Sequence, residues 1–435
     1  MSGIIESKIS IKPQVGLIWA PLAGLAAMCL SVLVLIGVVF AGMESIASAA
    51  ETKPVVSGAR VAGDEARTRF VLDMDTRVEP SISGLANPYR LIIDLPEVEF
   101  AIPEATGQSG RGLVKDWRYG LFAAGKSRIV MDLTGPIRID NTFFLPAVDD
   151  QPARLVVDLV SSSADQFAAF VKTSRPTASA ETPKTTSKGD RLAAEPNSEK
   201  PVIVLDPGHG GIDTGATGVA GTLEKAIVLD FAKLLKGKLD ESGLYDVRLT
   251  RDDDTFISLK RRVEIGHELQ AALFISIHAD SVRRGRKFAR GATVYTLSDK
   301  ASDQLAEDLA ESENLSDVIA GVELEDEPTE VADILLDLAR RETKSFSIYF
   351  AKILVNELQS AVRLINNPHR SAGFRVLKAH DVPSVLVELG YLSNEHDEKL
   401  LVSEEWRERM ANAMTESIHG FFRPRLARQK EPPSQ

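Results

Sequence analysis

Four residues in the C-terminal half have types and positions that could do chemistry together: His209, Glu224, His278 and Glu388. His209 lies in V-I-V-L-D-P-G-H-G-G at 202–211, where the apolar run Val202–Leu205 reads as a buried strand stopped by the turn signal Asp206-Pro207-Gly208 just ahead of the histidine. The glycines beside it let backbone or ligand approach closely. His278 closes the run A-L-F-I-S-I at 272–277, and Glu388 stands inside V-L-V-E-L at 385–389, where a carboxylate is costly unless paired or bound to metal. Two imidazoles and one carboxylate are a common catalytic zinc set with one position left open. A further carboxylate must then take a proton from water. Each residue also has a plain structural explanation. His209 could make an ordinary loop hydrogen bond, Glu224 could complement a helix dipole, and His278 could be buried and satisfied by backbone.

These side chains need strand ends to hold them. From Val202 onward strand and helix patterns alternate, with strands at 202–205, 246–250, 272–277, 294–297 and 384–389. Helical spacing covers 224–242, 258–270, 301–314, 330–358 and 404–422. The expected fold is α/β: a doubly wound domain at 201–422 with a mixed or parallel sheet flanked by helices, its ligands at the carboxyl ends of the strands.

Ahead of this domain the grammar differs. At 55–160 a short pattern repeats: arginine, three apolar residues, aspartate, one apolar residue. It occurs from Arg69 to Met74, Arg90 to Leu95, Arg128 to Leu133 and Arg154 to Leu159. Turn signals separate the runs, so a small all-β sandwich is expected, with each Arg and Asp at a strand end or in a cross-strand pair. Residues 161–200 are rich in Ser, Thr, Ala, Pro and Lys and read as a flexible linker, and 423–435 as a disordered tail. Residues 13–43 are uncharged, and Ala47-Ser48-Ala49 gives a signal-peptidase pattern, so 1–50 reads as an export signal of the general secretory route or an uncleaved membrane anchor.

The chain has 435 residues, enough for two or three domains, and a net charge of −11. That charge argues against a nucleic-acid partner and against adhesion to anionic lipid, leaving the N-terminal segment as the one route to a membrane. The only cysteine, Cys29, lies in the N-terminal apolar run. Any metal in the body of the protein must therefore be held by His, Asp and Glu.

Taken together, D-P-G-H-G-G at 206–211, Glu224, S-I-H-A-D at 276–280 and P-S-V-L-V-E-L-G-Y-L-S-N at 383–394 resemble the zinc-dependent N-acetylmuramoyl-L-alanine amidases of the amidase type 3 family. The export signal and the β repeat resemble the division amidases of Gram-negative bacteria, whose N-terminal AMIN domain binds the wall. By that resemblance His209, Glu224 and His278 are the zinc ligands and Glu388 is the catalytic carboxylate. The implied reaction is hydrolysis of the peptidoglycan amide between N-acetylmuramic acid and L-alanine, in the periplasm. A catalytically silent wall-binding scaffold and a zinc peptidase cutting within the stem peptide remain the alternatives.

Residues 303–342 are strongly acidic, with only Arg340 and Arg341 as bases, and interrupt the strand–helix alternation. A solvated helical face explains such a run. The resemblance implies instead an inserted regulatory segment that blocks the site until a divisome-associated activator of the LytM type displaces it. Glu313 is the expected zinc-blocking carboxylate, with Glu307 and Glu311 as rivals.

Overall fold

The computed structural model describes residues 53–102, 109–148, 151–174, 200–281, 289–322 and 334–429; the expected export signal, most of the expected linker and part of the acidic insertion lie outside these. The N-terminal module contains β1 (Val55–Gly63), β2 (Arg67–Met74), β3 (Ser81–Leu85), β4 (Arg90–Pro96), β5 (Glu99–Phe100), β6 (Val114–Ala123), β7 (Lys126–Leu133), β8 (Ile137–Leu145), β9 (Ala153–Ser161) and the helix α1 (Ala164–Ser174). Two sheets form, in the orders β5-β1-β2-β9-β8 and β3-β4-β7-β6. Alternation along the strands builds the core between them. Phe70 and Leu72, Leu91 and Ile93, Ile129 and Met131, and Leu155 and Val157 all join one buried cluster around Trp117.

The repeated pattern is explained by register. Across the antiparallel β2–β9 pair Arg69 faces Asp158 and Asp73 faces Arg154; across β4–β7 Arg90 faces Asp132 and Asp94 faces Arg128. Arg69 donates to both carboxylate oxygens of Asp158, at 2.7 and 2.8 Å. Two copies of one pattern, run antiparallel, bring each arginine opposite the other's aspartate.

The expected linker begins too early. Its first part is α1, which buries Phe167 fully and packs Phe170 and Val171 against the module's core. Phe167, Phe170 and Val171 share one helical face. Phe170 lies so close to Gly84 that a Cβ there would stand 2.9 Å from its ring.

The C-terminal domain runs through β10 (Val202–Pro207), α2 (Glu224–Ser242), β11 (Asp246–Leu249), α3 (Leu259–Glu268), β12 (Leu273–His278), β13 (Ala292–Leu297), α4 (Gln304–Glu313), α5 (Ser316–Ile319), α6 (Ile334–Ala361), β14 (Leu364–Ala372), β15 (Ser384–Glu388), α7 (Glu395–Leu401) and α8 (Glu404–Gln429). Its sheet has the order β11-β10-β12-β15-β13-β14. β11, β10, β12 and β15 are mutually parallel, and β13 meets β15 antiparallel. The sheet is therefore mixed and covered on both faces. Ile203 and Leu205 point to a cluster with Phe231 of α2, Leu354 of α6 and Met414 of α8. Val202 and Val204 point to the other side, with Ile265 of α3 and Leu309 of α4.

α8 runs past Phe422 to Gln429, into the stretch expected as a disordered tail. Phe422 is buried, so the helix that docks it continues. No helix among the described residues is long and apolar enough to cross a membrane.

Candidate active site

His209, Glu224 and His278 converge at the carboxyl ends of β10 and β12, where an open parallel sheet offers a crevice. His209 sits just past β10 with φ 56, a left-handed conformation that costs a non-glycine residue on the order of 1–3 kcal/mol. Buried arginines hold that loop. Arg262 donates to the carbonyls of Pro207 at 2.8 Å and His209 at 2.7 Å, and Arg251 donates to Gly208 at 2.7 Å. Arg262 also meets Asp206 at 2.6 Å, and Asp206 further accepts from Thr250 and Ser276.

Glu224, the first residue of α2, is fully buried. Its two oxygens accept 2.8 Å hydrogen bonds from the backbone amides of Ala216 and Ala279, which ties the loop after β10 to the end of β12. Gly208 and Gly215 allow the close approach: a Cβ at Gly208 would lie 2.3 Å from the His278 ring, and one at Gly215 2.7 Å from Glu224 Oε2.

Glu313, the last residue of α4, is buried beside them, whereas Glu307 and Glu311 on the same helix are exposed. The donor atoms of His209, Glu224, His278 and Glu313 all lie within 4.8 Å of one another. Nε2 of His209 is 3.1 Å from Glu224 and 3.6 Å from Glu313; Nδ1 of His278 is 3.2 Å from Glu224 and 3.1 Å from Glu313. A tetrahedron with zinc–ligand bonds of about 2.0–2.1 Å has edges of roughly 3.3 Å. His209 Nε2 is buried and makes no hydrogen bond although two carboxylates adjoin it, as expected of a donor aimed at the space between them. The cluster is thus compatible with a metal site.

Glu388 ends β15, in register with His278 of β12. The backbone amide of Asp280 donates to its Oε2 at 3.0 Å, while its buried Oε1 has no hydrogen-bond partner. Burial, followed by the charges of Glu224, Asp280 and Glu313, pushes the Glu388 carboxyl well above its ordinary range. Burial likewise raises Glu313 well above its ordinary range against the pull of His209, and the charges of Asp280, Glu224 and Asp213 add to the rise. Crowded acids that resist ionisation are a place where a cation is welcome.

Asp213 was missed in the sequence. Its Oδ2 lies 2.9 Å from His209 Nδ1, the carboxylate–histidine pairing that orients a ligating imidazole, and it also accepts from Ser316 Oγ of α5. Its position four residues after His209 was the available signal. Arg251 and Arg262 gave none, since nothing in their local patterns marks burial.

Residues 203–420 match the N-acetylmuramoyl-L-alanine amidase family, and residues 58–159 match the AMIN domain. The chain is 33% identical over 407 residues to the N-acetylmuramoyl-L-alanine amidase AmiC of Neisseria meningitidis serogroup B, covering 89% of this chain and 95% of that protein. It is 30% identical over 364 residues to AmiC of Escherichia coli O6:H1, covering 82% and 86%. To AmiA of Escherichia coli K12 it is 40% identical over 240 residues, covering 55% of this chain and 82% of that protein. The chain therefore belongs to the N-acetylmuramoyl-L-alanine amidases, hydrolases of the peptidoglycan amide bond, and carries an AMIN domain ahead of its catalytic domain.

Proposed function

We propose that this amidase is zinc-dependent, works in the periplasm in septal wall splitting, and is held inactive by its own insertion until an activator of the LytM type displaces it. The observation that carries the reading is the buried set of His209, Glu224, His278 and Glu313. The first three come from the frame of the domain, and the fourth from a helix inserted between β13 and α6. His209, Glu224 and His278 would hold zinc, and Glu313 would fill the position that substrate needs. Zinc in such a set acts as a Lewis acid that polarises a carbonyl and acidifies water.

The chain's own residues supply the rest. Asp213 keeps the His209 ring oriented, and Glu224 is fixed by two backbone amides. Glu388, anchored through Oε2, presents Oε1 as the base that takes a proton from the attacking water. It then returns that proton to the departing amine of L-alanine as the carbon–nitrogen bond breaks, so the water's hydroxyl ends on the new carboxyl group and its proton on the amine.

The test is metal analysis of the purified protein together with mass spectrometry of its muropeptide products. One zinc per chain, activity lost with a chelator and restored by zinc, and peptides beginning with L-alanine are expected. Full hydrolysis by protein shown to hold no zinc would overturn the metal assignment.

A further inference from the structure

We infer that the AMIN domain is part of the lock: the sheet β3-β4-β7-β6 is a docking surface for residues 316–322, the stretch directly after Glu313. This rests on the reading of Glu313 as the blocking carboxylate. Three arginines from three adjacent strands meet four successive carbonyls at the end of α5. Arg90 of β4 donates to Val318. Arg118 of β6 donates to Ile319 at 2.6 Å, and Arg128 of β7 to Ala320 and Gly321 at 3.1 and 3.3 Å. Carbonyls at and just past a helix end have few intrahelical partners, and cationic donors suit them; Val318 O also accepts from the Gly321 amide at 3.1 Å.

Two of the arginines are held by partners in their own domain. Arg128 is clamped by both oxygens of Asp94 and lies 3.4 Å over the Phe122 ring, and Arg118 is paired with Asp132 at 2.7 Å. Strand alternation makes the apolar part of the surface. Leu91, Ile93, Ile129 and Met131 face the domain's own core, so Ile92 and Val130 face out of it. They form a separate buried cluster with Ala320, Ile212 and Phe256 of the catalytic domain. Gly321 lies so close that a Cβ would stand 2.5 Å from Ile92.

The contact leads straight to the metal-binding cluster. Ser316 Oγ donates to Asp213, which holds His209. The loop after His209 is pinned as well, with Ile212 N donating to Leu121 O of β6 at 3.2 Å. Glu313 therefore stands between a helix anchored on the catalytic domain and a segment gripped by the AMIN domain. Loosening the grip frees residues 316–322 and with them the carboxylate.

The test compares full-length, zinc-loaded wild type, Arg128→Ala, Val130→Glu and Glu313→Ala, without activator. Val130 faces away from its own domain's core, so Val130→Glu breaks the contact without touching that core; thermal unfolding checks both interface variants. Turnover is read on a soluble muropeptide, so that wall binding does not enter, and amide hydrogen exchange is read in residues 316–322. Both interface variants should exchange faster there and turn over roughly fivefold or more faster than wild type. Adding Glu313→Ala to either should give no further gain over Glu313→Ala alone. Wild-type turnover and exchange in both interface variants, with Glu313→Ala activated, would overturn the lock and leave the blocking role of Glu313 standing. Wild-type turnover in Glu313→Ala as well would overturn both.

Discussion

His209 concentrates the electrostatics of the site. Burial works to lower its pKa, but Glu224, Asp213 and Glu313 outweigh burial and hold it well above its ordinary 6.5. In the metal-free protein it keeps a proton at pH values where the unfolded chain has lost one. Its contribution to stability is therefore complete below 6.5 and is lost as pH rises through the folded value. His278 is shifted the other way by its burial and acts only below 6.5. Above that pH the melting temperature of chelated protein should fall with rising pH, and Asp213→Asn should flatten the fall. Calorimetry across the neutral and mildly alkaline range reads this, and a level or rising melting temperature would contradict the account. Glu388 gives a sharper test of roles. Glu388→Gln should keep its zinc, measured by metal analysis, while turnover drops roughly a hundred- to ten-thousand-fold. Loss of zinc would make Glu388 a ligand instead.

At the scale of elements, what the sequence made legible was what local pattern controls. Buried parallel strands such as Leu273–His278 are continuous apolar runs, and their ends located His209, His278 and Glu388. β14 was not legible: L-I-N-N-P-H-R-S-A has no alternation and carries Asn367 at φ 54 and an internal proline, which an edge strand tolerates. α1 was hidden by its composition, because Ala, Ser and Lys around Phe167 resemble linker until the β core is there to receive the ring. The buried pair of Arg262 and Asp206 was invisible for a different reason, since the two are brought together only by the packing of α3 under the β10 loop. It supports that loop, so Arg262→Met should leave Asp206 charged and unpaired and cost about 3–5 kcal/mol. Denaturant unfolding of the zinc-loaded protein measures it, and a change below about 1 kcal/mol would mean that Asp206 finds other partners.

On the scale of the whole molecule, composition suggested two domains joined by a tether and therefore independent. The structure instead seats the AMIN sheet on the catalytic domain through Ile92, Val130, Ile212, Phe256 and Ala320. No sequence period announces such a contact: Ile92 and Val130 lie within apolar strand runs, and nothing in the pattern around Gly321 marks it as a contact. The acidic insertion was legible as an insertion, and the resemblance pointed to Glu313 with Glu307 and Glu311 as rivals, but no local pattern chose among them, because burial of Glu313 beside two histidines depends on how α4 packs over the sheet. The account rests on that carboxylate competing with substrate for one position. The most direct measurement is the rate of wall hydrolysis by zinc-loaded Glu313→Ala beside zinc-loaded wild type, without activator. A tethered carboxylate acts at an effective concentration on the order of millimolar, so removing it should raise the basal rate roughly tenfold or more. Equal rates at equal zinc content would contradict the account.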